Sequence, residues 1–150
     1  MLKFVRLIVD GSALGNPGAG GWACIMQYQA HERILTGSER KSTNNRMELL
    51  AALRGLQALK ESCSVEILTD SEYLQRGMTQ FLERWKTNGW RSSSGRPVVN
   101  RELWAELEGA ASPHNVRWTW VPGHGTEQPD HNRADSLARR AAMAGSDSAP

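Results

Sequence analysis

Cysteine is scarce and long apolar runs are absent. The 150 residues include two cysteines, Cys24 and Cys63, each in an apolar stretch without a Cys or His at metal-ligand spacing. Neither a disulfide framework nor a zinc site is expected, and both thiols read as reduced and buried. No segment approaches the roughly 20 apolar residues that cross a bilayer, and Met1 to Asp10 reads as a strand entering a turn rather than a secretory signal. Charge of one sign is lacking too: 18 Lys and Arg stand against 16 Asp and Glu, a formal net charge of +2. That excludes a polybasic tail or an acidic domain but leaves room for a local basic groove. No repeat, heptad seam or low-complexity linker interrupts the chain. The expectation is one cytoplasmic domain over 1–144, with 145–150 as a frayed tail.

What is present has the rhythm of an α/β domain. Strands are expected over Lys3 to Asp10, Trp22 to Tyr28 and Ile34 to Arg40, the last two joined by a turn near Ala30 to Arg33. A helix follows over Met47 to Leu59, capped by Thr43 or Asn44. Val65 to Thr69 is a fourth strand, and Ser71 caps a short helix after it. Phe81 to Trp90 reads as a short helix plus a loop, and Ser92 to Pro97 as a loop. A helix over Asn100 to Ala111, a strand over Val116 to Val121 and a helix over Arg133 to Met143 complete the order. Three leading strands suggest a meander and the later alternation suggests crossovers, giving a mixed five-stranded sheet with helices packed on it.

Several acids stand where acids are expensive. Asp10 and Asp70 end strands, where a carboxylate also serves as an ordinary turn acceptor. Glu48 shares its helix line with Ala52, Gly55 and Leu59, opposite the polar Arg54, Gln57, Lys60 and Glu61, with Leu50 the one apolar residue out of place. On that inward face an unpaired carboxylate needs a cation, a proton or a metal. Gly55 on the same line permits a close approach to the sheet. Asp135 sits at the edge of the Ala134, Leu137, Ala138 and Ala141 face, as a metal-site acid or as a helix-start or salt-bridge acid. If the two strands are neighbours and both helices pack at their ends, the four acids converge. Such an all-oxygen cluster favours Mg²⁺ or Mn²⁺ over Zn²⁺.

The glycine-rich stretch after Asp10 lacks the Gly-x-x-x-x-Gly-Lys-Ser/Thr pattern of a nucleotide loop. It either keeps backbone N–H groups beside a ligand or makes a hairpin corner. Between Arg76 and Arg101, six bases face a single acid, Glu83, with Phe81, Trp85 and Trp90 interleaved. Bases on phosphates and aromatics on sugars would suit a nucleic-acid backbone. The other reading is a solvated helix whose tryptophans enter the core. Most of Trp22, Trp104, Trp118 and Trp120 are expected there. His124, between Gly123 and Gly125, is either a proton carrier or an ordinary loop histidine, while His31, His114 and His131 have no comparable setting.

Taken in order, these pieces resemble ribonuclease H of the bacterial type 1 class. They are Asp10-Gly11-Ser12, Gly15-Asn16-Pro17-Gly18, Thr43 to Leu49, Thr69-Asp70-Ser71, Trp85-Lys86 with Gly89-Trp90, Pro97 and Asn100, Gly123-His124, and Arg133-Ala134-Asp135 with Leu137-Ala138. The resemblance covers residues 1 to about 143 and implies the mixed five-stranded sheet of that family. It implies hydrolysis of the RNA strand of RNA/DNA hybrids with two Mg²⁺ ions, Mn²⁺ as a substitute, and 5′-phosphate and 3′-hydroxyl products. Asp10, Glu48, Asp70 and Asp135 match the metal-binding carboxylates, and His124 the mobile catalytic histidine. Asn16, Asn44 and Asn45 match minor-groove contacts, and Thr43 and Asn100 match contacts to the DNA phosphates and sugars. Gly11, Ser12 and Glu72 join the substrate contacts. Phe81, Trp85, Lys86 and Trp90 fall in the basic protrusion, a handle for the DNA strand. A monomer with no obligate protein partner and no membrane association is implied.

Departures from the family pattern are visible. His131 stands where the family usually places an Asn four residues before the last aspartate, and the preceding loop is one residue longer, which puts the angle of Asp135 in question. Glu72 replaces a common Gln, Phe81 a frequent Trp, and Thr87 and Asn88 replace bases in the protrusion. Weaker, more salt-sensitive substrate binding is expected. The alternatives are a hybrid-binding module without catalysis and a related metal-dependent DNA nuclease.

Overall fold

A computed structural model describes residues 1–123 and 128–147. Five strands form one sheet: β1 (Lys3–Ala13), β2 (Gly18–Tyr28), β3 (His31–Ser42), β4 (Cys63–Thr69) and β5 (Asn115–Trp120), in the spatial order β3-β2-β1-β4-β5. β1 pairs antiparallel with β2 and parallel with β4, and β4 pairs parallel with β5. The sheet is therefore mixed, with an antiparallel meander and two parallel crossovers. β1 lies at its centre, at the point where strand direction changes.

The first hairpin is longer than expected. Ser12 and Ala13 still pair with Gly21 and Gly20, so most of the glycine-rich stretch is strand and the turn shrinks to residues 14–17. This favours the hairpin-corner reading. Small residues permit it because neighbouring elements press on the ribbon. A Cβ on Gly11, for example, would lie 2.5 Å from the Glu48 backbone nitrogen.

α1 (Asn44–Gln57) begins once Thr43 Oγ1 accepts from Arg46 N at 3.1 Å, three residues earlier than the apolar pattern suggested. Gly55 makes the expected close approach, since a Cβ there would meet Cys24 Sγ at 2.7 Å. Leu50 is buried after all, because α4 (Arg101–Ala111) packs on α1. Between them α2 (Glu72–Arg76), a π turn over Gly77–Phe81 and α3 (Leu82–Thr87) form one interrupted helical rod. Met47, Leu49, Leu53, Leu74, Trp104 and Leu107 make the core of this layer against Val5, Leu7, Val9 and Ile67.

α5 (Pro129–Asp147) covers the opposite face, where Ala134 and Leu137 pack with Ile8, Ile25 and Leu68. It starts four residues before the expected Arg133 and continues through Gly145 to Asp147, into the stretch expected to fray. Its first turn is fastened to the outer strands. Gln27 Nε2 donates to Asp130 Oδ2 at 3.2 Å, and Arg133 donates to both Glu32 oxygens at 2.8 Å. No described helix is long and apolar enough to cross a membrane. Both cysteines are free and buried, and burial pushes the Cys24 thiol up to about 12. Trp22 and Trp104 are core residues, but on the edge strand β5 Trp118 is half-buried and Trp120 is 45% exposed.

Candidate active site

Asp10 and Asp70 meet because of register. The parallel β1–β4 ladder sets Lys3 opposite Cys63 through Ile8 opposite Leu68, and two residues further along the chain from each end stand the two acids. β4 ends at Thr69. Its carbonyl accepts from Val121 N at 2.8 Å, Ser71 Oγ then caps α2 by accepting from Leu74 N at 3.1 Å, and Asp70 is left at the carboxyl end of the strand. In open α/β sheets this crevice, at a change of strand direction, is where ligands bind. Glu48 reaches the same point from the first turns of α1.

Burial governs the chemistry here. Asp10 is 3% and Glu48 7% exposed, and one oxygen of each, Asp10 Oδ2 and Glu48 Oε2, has no hydrogen-bond partner among the described residues. The other Asp10 oxygen accepts from Gly11 N at 2.9 Å. Burial, reinforced by the charges of Asp70 and Asp135 against a hydrogen bond with Glu48, pushes Asp10 up to about 7. Burial and the Asp10 charge raise Glu48 well above the carboxylate range. Burial also acts upward on Asp70, but the neighbouring His131 outweighs it and leaves Asp70 lowered.

His131, singled out in the sequence only as a departure four residues before Asp135, lies inside the site itself. Its side chain is 2% exposed, with Nε2 3.3 Å from Asp70 Oδ2 and 3.8 Å from Asp10 Oδ2. The early start of α5 explains this: His131 and Asp135 stand one helical turn apart and share a face. That spacing was the signal, and it pointed to the angle of Asp135 rather than to a place for His131 beside Asp10 and Asp70. Asp135 is half-buried at the edge of the cluster, and its Oδ2 accepts from Arg139 Nη2 at 2.6 Å. Two further contacts frame Asp70. Trp120 Nε1 donates to its backbone carbonyl at 3.0 Å, and a Cβ on Gly123 would lie 2.4 Å from its Oδ2. His124 lies outside the described residues.

The other expected contacts form two groups. Asn44 N donates to Asn16 Oδ1 at 3.2 Å and Ala13 N donates to Asn44 Oδ1 at 2.8 Å, so these two asparagines lace the hairpin to the start of α1. Asn45 beside them is exposed, while Gly11, Ser12 and Thr43 are half-buried. In the second group Trp85 stacks on Phe81 at 5.9 Å and tilts against the buried Trp104 at 5.2 Å. One face therefore joins the core, as the solvated-helix reading allowed. Trp90 lies under Arg101 at 5.6 Å, and Asn100 Nδ2 donates to Tyr73 Oη at 3.2 Å instead of capping α4. Lys86 is bound to Glu108 at 2.6 Å, and exposed Glu72 pairs with Arg76 at 3.5 Å. Most bases of the protrusion already have partners.

Buried carboxylate oxygens without partners, clustered at a crevice, are the donor set that a hard divalent cation takes. The fold and these acids thus define an oxygen-rich site for metal-assisted chemistry. Comparison with known proteins gives its lineage. The ribonuclease H family model matches residues 3–143. A ribonuclease H from Bartonella bacilliformis is 52% identical over 139 residues, 93% of this chain and 89% of that protein. The crystal structure of LC9-RNase H1, described as a type 1 RNase H with the type 2 active-site motif, superposes with a TM-score of 0.87 at 31% identity, covering 97% of this chain and 74% of that one. LC11-RNase H1, solved in complex with an RNA/DNA hybrid, shares the fold at a TM-score of 0.71 and 21% identity, over 93% and 98% of the two chains. The chain belongs to the ribonuclease H family, whose members are metal-dependent endonucleases for RNA/DNA hybrids.

Proposed function

We propose that the RNA strand of a hybrid is cut at the Asp10, Glu48, Asp70 and Asp135 cluster with two Mg²⁺ ions, leaving 5′-phosphate and 3′-hydroxyl ends. The observation that carries this reading is the pair of buried, unpartnered oxygens on Asp10 and Glu48 beside Asp70. Bound divalent ions supply an activated water and neutralise charge on the departing 3′ oxygen. Asp10, Glu48 and Asp70 would hold the ions, with Mn²⁺ an acceptable substitute. Asp135 would add a carboxylate if its Oδ2 were freed from Arg139. Asn16, Asn44 and Asn45 offer polar groups to the 2′-hydroxyls that distinguish RNA from DNA. Trp85, Phe81, Trp90 and Lys86 support the DNA strand with help from Thr43 and Asn100, while Gly11, Ser12 and Glu72 border the RNA strand. His124 carries a proton near the leaving group, and His124→Ala slows turnover by about 10- to 100-fold. The enzyme acts as a cytoplasmic monomer.

The test uses four labelled duplexes or strands: RNA/DNA hybrid, duplex DNA, duplex RNA and single-stranded RNA. Cleavage confined to the hybrid's RNA strand, and lost in EDTA, is expected. Binding of the hybrid without cleavage in Mg²⁺ or Mn²⁺ would instead indicate a silent binding module, and cleavage of duplex DNA a nuclease of another specificity.

A further inference from the structure

His131 occupies a place that the four acids do not explain. Its imidazole is buried, and neither ring nitrogen has an aligned hydrogen-bond partner among the described residues, although Nε2 stands 3.3 Å from Asp70 Oδ2 and 3.8 Å from Asp10 Oδ2. A buried nitrogen facing two carboxylates needs a proton or a cation between them. The candidate ligand atoms of Asp10, Asp70 and His131 all lie within 4.8 Å of one another. Donors ~2.1 Å from one octahedral ion stand roughly 3 Å apart when adjacent and about 4 Å apart when opposite. Both nitrogen–oxygen separations fit one coordination sphere.

We propose that His131 is itself a metal ligand, and that its Nε2 with Asp10 and Asp70 makes one ion position a mixed nitrogen–oxygen site favouring Co²⁺ over Mg²⁺. Imidazole suits the later first-row ions, for which affinity rises from Mn²⁺ through Co²⁺ to Ni²⁺, whereas carboxylate, carbonyl and water suit Mg²⁺ and Mn²⁺ alike. The donor is well supported. α5 brings His131 in on its first turn, and the ties of Asp130 to Gln27 and of Arg133 to Glu32 hold that turn on the sheet. A purely structural imidazole would carry a proton and act as the cation itself, competing equally with every divalent ion. A ligand discriminates among them.

This inference rests on the reading of the acid cluster as a metal site. The test measures Co²⁺ affinity of the full chain by isothermal titration calorimetry, and Mg²⁺ affinity by its competition, without nucleic acid. His131→Asn should lose Co²⁺ affinity by about tenfold or more while Mg²⁺ affinity changes by less than about threefold. In the unsubstituted protein, Cd²⁺ should shift the Nε2 resonance of isotope-labelled His131 as a directly coordinated nitrogen shifts, a readout that does not depend on how the variant folds. Equal changes for both ions, or an Nε2 resonance that stays that of a protonated ring, would overturn the proposal while leaving the acid cluster standing. Absence of all divalent binding in the parent would overturn both.

Discussion

Asp10 on β1 and Glu48 on α1 press their carboxyl groups together in the interior, and each keeps one oxygen without a hydrogen-bond partner among the described residues. Without metal this pair opposes folding at neutral pH. Asp10 is raised from its ordinary 3.8 to about 7 and Glu48 is raised well above its ordinary 4.5, so the folded state holds more protons than the unfolded state through that window. Stability therefore falls as pH rises from about 4 to about 7. The raised His131 acts in the same direction above its ordinary value, while the lowered Asp70 acts only at the acid end. Thermal melts in EDTA should show the midpoint falling across this range. Added Mg²⁺ should restore it at the upper end, since a ligand of the folded state alone stabilises it.

Gly123 should be intolerant of any side chain. A Cβ would sit 2.4 Å from Asp70 Oδ2 and 3.2 Å from its Cγ, so the carboxylate must turn away. Gly123→Ala should cut kcat by about 100-fold or more, since misplacement by about 1 Å costs that much. Its melting temperature should barely change. Gly109 in α4 has nothing within 4 Å of such a Cβ, and Gly109→Ala should leave the rate intact. Steady-state kinetics and melts of both variants check the contrast.

Trp120 supports Asp70 from behind through a 3.0 Å bond to its backbone carbonyl. Losing that donor in Trp120→Phe should cost about 1 kcal/mol of positioning, or about fivefold in rate. The change should appear in kcat with KM nearly unaltered, because no substrate contact is removed.

The protrusion should bind hybrid weakly because Lys86 is already held by acids. Fewer phosphate contacts make a shallower salt slope, the reverse of the greater salt sensitivity expected from the sequence. Lys86 is tied to Glu108 at 2.6 Å and to Glu83 at 3.5 Å. Glu108→Gln should free Lys86 for a phosphate, lowering KM and steepening its salt dependence by about one counterion. KM measured across a salt series for parent and variant is the check, and parallel curves would contradict it.

Much of this was legible in the sequence where local chemistry decides the outcome. The inward Glu48, the Thr43 and Ser71 caps and Asp70 at the end of β4 follow from periodicity and turn chemistry, whereas Asp10, expected to end its strand, lies within β1 opposite Ala23. Leu50, the length of the first hairpin and the start of α5 were not legible, since each depends on a partner distant in sequence. Leu50 awaits α4, Gly20 and Gly21 await β1, and Pro129 to Asn132 are held helical by ties to Gln27 and Glu32. The placement of His131 follows from that last difference, so its site role was hidden with it.

The most direct measurement is hybrid cleavage by Asp10→Asn in Mg²⁺, paired with its melting curve in EDTA. The substitution removes a buried charge and keeps the shape, so the variant should melt at least as high as the parent and cut no RNA above background. A folded Asp10→Asn that keeps more than about a tenth of the parental rate would contradict the assignment of this cluster as the catalytic metal site.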